Sequence, residues 1–158
     1  MQKITPFLWF DNNAEEAMNL YISIFKDAKV LRAARNPPGA PGPEGALLVA
    51  SFQLEGQEFT VMNGGPGHPL TDAFSLTVNC GSQEEVDNYW SKLLEGGGKE
   101  LACGWLKDRF GLCWQITPTI LPKLLADPDK AKAGRVMQAM MKMIKLDIAV
   151  LQAAADGK

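Results

Sequence analysis

The 158 residues are 46% hydrophobic and 22% charged, a globular composition that argues against disorder and lets one ordinary domain, or two very small ones, bury a core without metal or disulfide support. Sixteen basic residues against eighteen acidic ones leave a net charge of −2, so no global nucleic-acid footprint exists. The longest uncharged stretches, such as residues 59–71, hold about a dozen residues, short of the roughly 20 mostly apolar residues that cross a membrane.

Residues 4–10 are apolar and β-rich and read as a strand, residues 13–25 as an amphipathic helix, and residues 30–35 as a second strand. Residues 36–45 (NPPGAPGPEG) hold four prolines and three glycines, which makes them an exposed loop. Residues 46–54 and 59–62 read as strands joined by a turn at Glu55-Gly56, and residues 64–69 (GGPGHP) as a second loop. The pattern then restarts: a strand at 74–79, a helix at 82–94 stopped by Gly96-Gly97-Gly98, and short strands near 99–105 and 112–116.

The restart recurs at a fixed offset. Asn13-x-x-Glu16 and Ser82-x-x-Glu85 both have the form of a capping box and lie 69 residues apart. Ala17, Leu20, Tyr21, Ile24 and Phe25 on the first helix match Val86, Tyr89, Trp90, Leu93 and Leu94 on the second, at the spacing of one buried face. Two copies of a strand–helix–strands module imply a mostly antiparallel α+β fold. Each sheet would keep one face under its helix and one free, and the free faces could enclose a ligand cleft.

The tail, residues 119–158, reads as helical and rich in methionine. Asp127-Pro128 has the form of a helix start, and Val136, Met137, Met140, Met141 and Ile144 form an apolar stripe. The tail holds seven basic and four acidic residues, net +3, against −5 for the rest. The start MQKITPFLWFDN lacks a secretory pattern. Three cysteines without a C-x-x-C pair are expected to be free, buried thiols of a cytoplasmic protein.

The repeat, together with residues 11–17 (DNNAEEA), 62–65 (MNGG), 105–116 (WLKDRFGLCWQI) and the tail run 135–141 (RVMQAMM), resembles the PhnB-like family. That family lies in the vicinal-oxygen-chelate superfamily with glyoxalases, bleomycin-resistance proteins and dioxygenases, and its members often carry the label 3-demethylubiquinone-9 3-methyltransferase. The resemblance implies paired βαβββ modules, at about 1–66 and 70–118 within 1–118, followed by a helical extension over 119–158. Methyl transfer from S-adenosylmethionine usually needs a strand, a Gly-rich turn and an acid for the ribose in a parallel sheet. Gly64-Gly65 and Gly96–Gly98 follow the wrong elements for that.

Superfamily enzymes hold a divalent metal with His and Glu from the first and last strand of each module. Carried over by spacing, those positions fall at Pro6, Met62, Ser75 and Gln115, none of them a normal ligand for iron, zinc or nickel. Thr5, Phe7, Asn63 and Phe74 do not rescue a one-residue shift, and His68 is the sole histidine. No metal or other cofactor is therefore expected. The candidate ligand-binding residues are Met62, Asn63, His68, Trp105, Asp108, Trp114 and Gln115. The indoles and amides suit an aromatic or apolar small molecule, His68 suits a lid or base, and Asp108 suits either a turn or a ligand contact. Cys103 and Cys113 lack a neighbouring His for nucleophilic catalysis, and no catalytic residue is assigned.

Three functions fit: a metal-free binding protein, an enzyme acting on a quinone-like ring, or a structural protein whose cavity its own side chains fill. A homodimer is expected through the tail stripe, since short modules expose strand edges that must be covered. No nucleic-acid or membrane partner is expected.

Overall fold

Pro6 cannot donate to a sheet ladder, so the first strand starts after it. In the computed structural model, which describes residues 2–158, β1 spans Phe7–Phe10 rather than the expected 4–10, and Ile4 is 86% exposed. Pro6 contributes its carbonyl alone, accepting from the Thr60 amide at 2.9 Å. The chain divides into two units, Met1–Leu70 and Thr71–Lys158.

The first unit continues with α1 (Ala14–Ile24), β2 (Ala28–Arg35), β3 (Leu47–Leu54) and β4 (Gln57–Asn63). Its sheet runs β1-β4-β3-β2, with β1 parallel to β4 and the other pairs antiparallel. Strand alternation sends Leu8, Phe10, Ala50, Phe52, Leu54, Phe59 and Val61 under α1, all buried. Tyr21 of α1 stacks on Phe52 (ring centroids 6.5 Å apart), and Phe52 stacks on its cross-strand partner Phe59 at 5.5 Å. The open face carries Phe7, Trp9, Ser51, Thr60 and Met62.

The second unit repeats this plan with β5 (Ser75–Cys80), α2 (Gln83–Leu94), β6 (Lys99–Glu100), β7 (Trp105–Lys107) and β8 (Cys113–Pro118). Its sheet runs β5-β8-β7-β6, with β5 parallel to β8. Leu106, Trp114 and Ile116 are buried on the α2 side, and there Trp90 of α2 donates to Glu100 Oε1 at 2.9 Å. The opposite face carries Ser75, Thr77, Trp105, Lys107, Cys113 and Gln115. The two modules expected from the 69-residue repeat thus share one strand order and one sense, in an α+β architecture of two βαβββ modules with helices at the C-terminus.

Three local expectations change. The Asn13 side chain makes no capping bond; the first helical amide, Ala14, is taken at 2.8 Å by Oδ1 of Asn63 from the end of β4. Ser82 does cap α2 through the Glu85 amide, while Glu85 reaches back to the Gly81 amide at 2.7 Å. Residues 99–105 do not form one strand: the chain turns through Cys103 (φ 60°) and Gly104 (φ 82°) between β6 and β7.

The third change is in the tail, which folds as α3 (Ile120–Leu125), α4 (Lys130–Met141) and α5 (Ile148–Ala155). The cap of α4 is Asp129, accepting from Ala131 and Lys132, not Asp127, whose Oδ1 instead accepts from the Asp129 amide. The core of these helices is Leu121, Leu124, Val136, Leu146, Leu151 and Ala155. Of the expected stripe Val136 alone is buried; Met137, Met141 and Ile144 are exposed. The tail is tied to its own module. Gln83 bridges Leu146 and Ile148 with its side-chain amide, and the Cys103 and Gly104 amides donate to Met143 and Ile144. A Cβ at Gly104 would meet Leu146 at 2.8 Å, so this close approach requires glycine.

Candidate functional site

In the first unit the open face centres on Trp9. Leu8 and Phe10 point under α1, so the indole between them must project the other way. Trp9 pairs in register with Met62, and its Nε1 donates to the Gly65 carbonyl at 2.8 Å. The exposed His68 ring tilts onto the indole, centroids 4.4 Å apart. A Cβ at Gly64 would overlap the Trp9 ring and lie 2.7 Å from the Met62 methyl. The Met-Asn-Gly-Gly run is thereby explained: Met62 lines the indole, Asn63 caps α1 and donates to Leu47 O at 3.0 Å, Gly64 makes room, and Gly65 accepts the indole proton. Of the sequence candidates here, Met62 and His68 gather at Trp9, whereas Asn63 holds helix and strand together. Sequence reasoning missed Trp9; alternation between two core residues was the available signal.

In the second unit, β8 alternation separates the remaining candidates. Trp105 and Gln115 are cross-strand neighbours on the open face, both half-buried. Nε2 of Gln115 donates to Ser75 Oγ at 2.9 Å. Trp114 lies on the other face, buried, with Nε1 donating to Asp108 Oδ2 at 2.9 Å. Asp108 is itself 3% exposed, and its Oδ1 accepts from the Phe110 and Leu112 amides at 2.9 and 3.1 Å. That is the turn geometry of an acid before an aromatic-Gly corner.

At the edge of the same open face, Lys107 Nζ contacts Asp72 Oδ1 at 2.6 Å. The Lys107 hydrogen bond holds the Asp72 carboxyl below the usual range and the Lys107 ammonium above its own. Both are therefore kept charged, and neither is poised for proton transfer near neutrality. The Cys113 thiol donates weakly to Asp72 (3.6 Å), and burial, then the Asp72 charge, raises its pKa. All three cysteines are free, Cys80 and Cys113 buried and Cys103 partly so. Among the described residues no group of three His, Cys, Asp or Glu side chains could hold a metal ion, and no helix is long and apolar enough to cross a membrane.

Residues 2–117 match the family described as 3-demethylubiquinone-9 3-methyltransferase. Among solved structures, a PhnB protein from Bacillus cereus, provisionally assigned as such a methyltransferase, is 38% identical. The match covers 75% of this chain and all of that one, with a TM-score of 0.69. Protein PA1353 from Pseudomonas aeruginosa (20% identical, 75% and 98% covered, TM-score 0.63) shares the fold. So does the fosfomycin resistance protein FosX from Listeria monocytogenes (16% identical, 78% and 97% covered, TM-score 0.51). No curated protein matches the chain.

Proposed function

The chain belongs to the PhnB-like family of vicinal-oxygen-chelate proteins, and from that premise we propose that it binds a small aromatic or apolar molecule on its open sheet faces without the divalent metal of the superfamily. The observation that carries this reading is the Ser75–Gln115 hydrogen bond, 2.9 Å long, beside Trp105. Two positions that the resemblance equates with metal ligands are adjacent, yet they hold a hydroxyl and a neutral amide bonded to each other. Neither is a competitive ligand for iron, zinc or nickel, and the equivalent first-unit positions, Pro6 and Met62, are no better. The residues do not fit the metal. They do fit a ring lying on Trp105, oriented by one amide and one hydroxyl, as small-molecule sites commonly are. The Trp9–Met62–His68 cluster offers the first unit a similar aromatic platform.

Methyl transfer, the activity in the family's description, draws no support from this geometry. Gly64-Gly65 serves Trp9, and Gly96–Gly98 ends α2; neither forms the ribose cradle that a nucleoside methyl donor needs after a strand of a parallel sheet. The same reading makes the protein a cytoplasmic homodimer, associating through the exposed Met137 and Met141 of α4 with Ile144.

Native mass spectrometry of protein purified from its host tests the binding reading. A co-purifying organic mass is expected, lost in Trp105→Ala and kept in Lys123→Ala. A single tightly held transition metal per chain, released by Gln115→Ala, would overturn it, as would an organic adduct indifferent to Trp105.

A further inference from the structure

The three glycines that end α2 do more than stop a helix. Gly96 (φ 78°) and Gly97 (φ 120°) adopt left-handed backbone, and a Cβ at Gly98 would come within 3.0 Å of the Lys107 carbonyl. Only a glycine turn can therefore pass this close to β7. A Cβ at Gly96 would meet Cδ of Arg109 at 2.8 Å, so the arginine stem lies along the turn. The guanidinium stands 4.7 Å from the Phe110 ring centroid and reaches the Glu95 carbonyl at 3.5 Å, a bond that uses one of its five N–H donors.

Between this turn and the Asp108–Gly111 corner lies a half-open groove of about 250 Å³, with Lys99, Lys107 and Arg109 in its lining. Lys99 and Lys107 are register partners on antiparallel strands, so two ammonium groups share one face as direct cross-strand neighbours, an arrangement that is unfavourable unless an anion intervenes. Asp72 supplies one negative charge, on Lys107. Asp108 also lines the groove, but its carboxylate is directed inward to two amides and an indole. A lysine, a preorganised arginine and a half-neutralised second lysine face a space that fits a phosphate-sized group.

We propose that this groove is a binding site for a phosphoryl-type dianion, held by Lys99, Arg109 and Lys107 against the Gly96–Gly98 turn. It is separate from the Trp105–Gln115 reading and does not depend on it. Fork-shaped donors and two ammonium groups match three acceptor oxygens better than a single carboxylate does. Asp72 competes with the ligand for Lys107.

The test titrates the full chain with inorganic phosphate at constant ionic strength set by chloride, following backbone amide shifts by NMR. Shifts are expected at residues 96–111, with acetate binding more weakly. Lys99→Gln/Arg109→Gln should weaken phosphate binding at least about tenfold, with the far-UV spectrum unchanged, and Lys123→Ala should leave it as it was. Asp72→Asn frees Lys107 and should tighten binding, a gain that misfolding cannot mimic. Phenyl phosphate binding more tightly than inorganic phosphate would identify an organic ligand carrying the group; equal binding would identify the free ion. Absence of shifts in this region, acetate binding as well as phosphate, an unaffected double variant, or Asp72→Asn failing to tighten binding would each overturn the proposal.

Discussion

Replacing Asp108 by Asn should weaken the second unit far more than an ordinary surface change, because the carboxylate is buried and accepts from the Phe110 amide, the Leu112 amide and the Trp114 indole. An asparagine oxygen can still accept the two backbone bonds, but its NH2 group then faces the Trp114 N–H, donor against donor. A buried donor left without its partner costs about 1–3 kcal/mol, and loss of charge assistance on the two remaining bonds adds about 1 kcal/mol. The expected destabilisation is about 2–4 kcal/mol, read as a lowered urea midpoint followed by tryptophan fluorescence and far-UV circular dichroism. A double-mutant cycle isolates the mechanism. In a Trp114→Phe background there is no indole proton to leave stranded, so Asp108→Asn should cost about 1–2 kcal/mol less than in the parent. Asp108→Asn within about 0.5 kcal/mol of the parent, the scale of ordinary surface substitutions, or a cycle with no coupling, would refute the view that this acid acts by closing the β7–β8 corner.

Gly64→Ala should displace the Trp9 indole, since the new methyl overlaps it. The expected cost is about 1–3 kcal/mol, with loss of the Trp9–Gly65 bond visible as a shifted indole proton in NMR; an unmoved indole resonance would count against the packing described. Gly134→Ala should stabilise α4 by about 0.5–1 kcal/mol, because nothing lies within 4 Å of the added methyl; a lowered urea midpoint would contradict this. Burial, with the Glu85 charge second, pushes the Cys80 thiol up to about 11. Its folded pKa exceeds the unfolded one, so folding favours the protonated thiol, and this contribution is present below about pH 8.5 and lost as pH rises toward 11. The urea midpoint of the parent should therefore fall more steeply over that range than that of Cys80→Ala, and parallel profiles would refute the assignment. Met137→Glu/Met141→Glu, altering side chains that are 41% and 66% exposed, should convert a dimer to a monomer by light scattering without lowering the urea midpoint. A parent already monomeric at micromolar concentration would end the dimer proposal.

Residue order alone determined the repeat. Apolar periodicity and punctuation by Gly and Pro are local properties, and two helices with matched buried faces 69 residues apart oblige two sheets to cover them, each with β1-β4-β3-β2-type order. Ser75 and Gln115 meet only in the folded sheet: Gln115 is the register partner of Thr77, and its side-chain amide reaches diagonally to the Ser75 hydroxyl. What periodicity does not carry is partnership across distance. Asn13 has the sequence of a cap, but the Ala14 amide bonds to Asn63, 49 residues away. Asp127-Pro128 has the sequence of a helix start, but the next acid, Asp129, has the geometry. The tail methionines have helical spacing, yet the stripe that packs is the one facing Leu121, Leu146 and Leu151. Trp105 and Trp114 are equally plausible ring platforms in sequence. Tertiary structure alone put one on the open face and the other on Asp108, because a strand sends neighbouring positions to opposite sides and only the docking of α2 decides which side is covered.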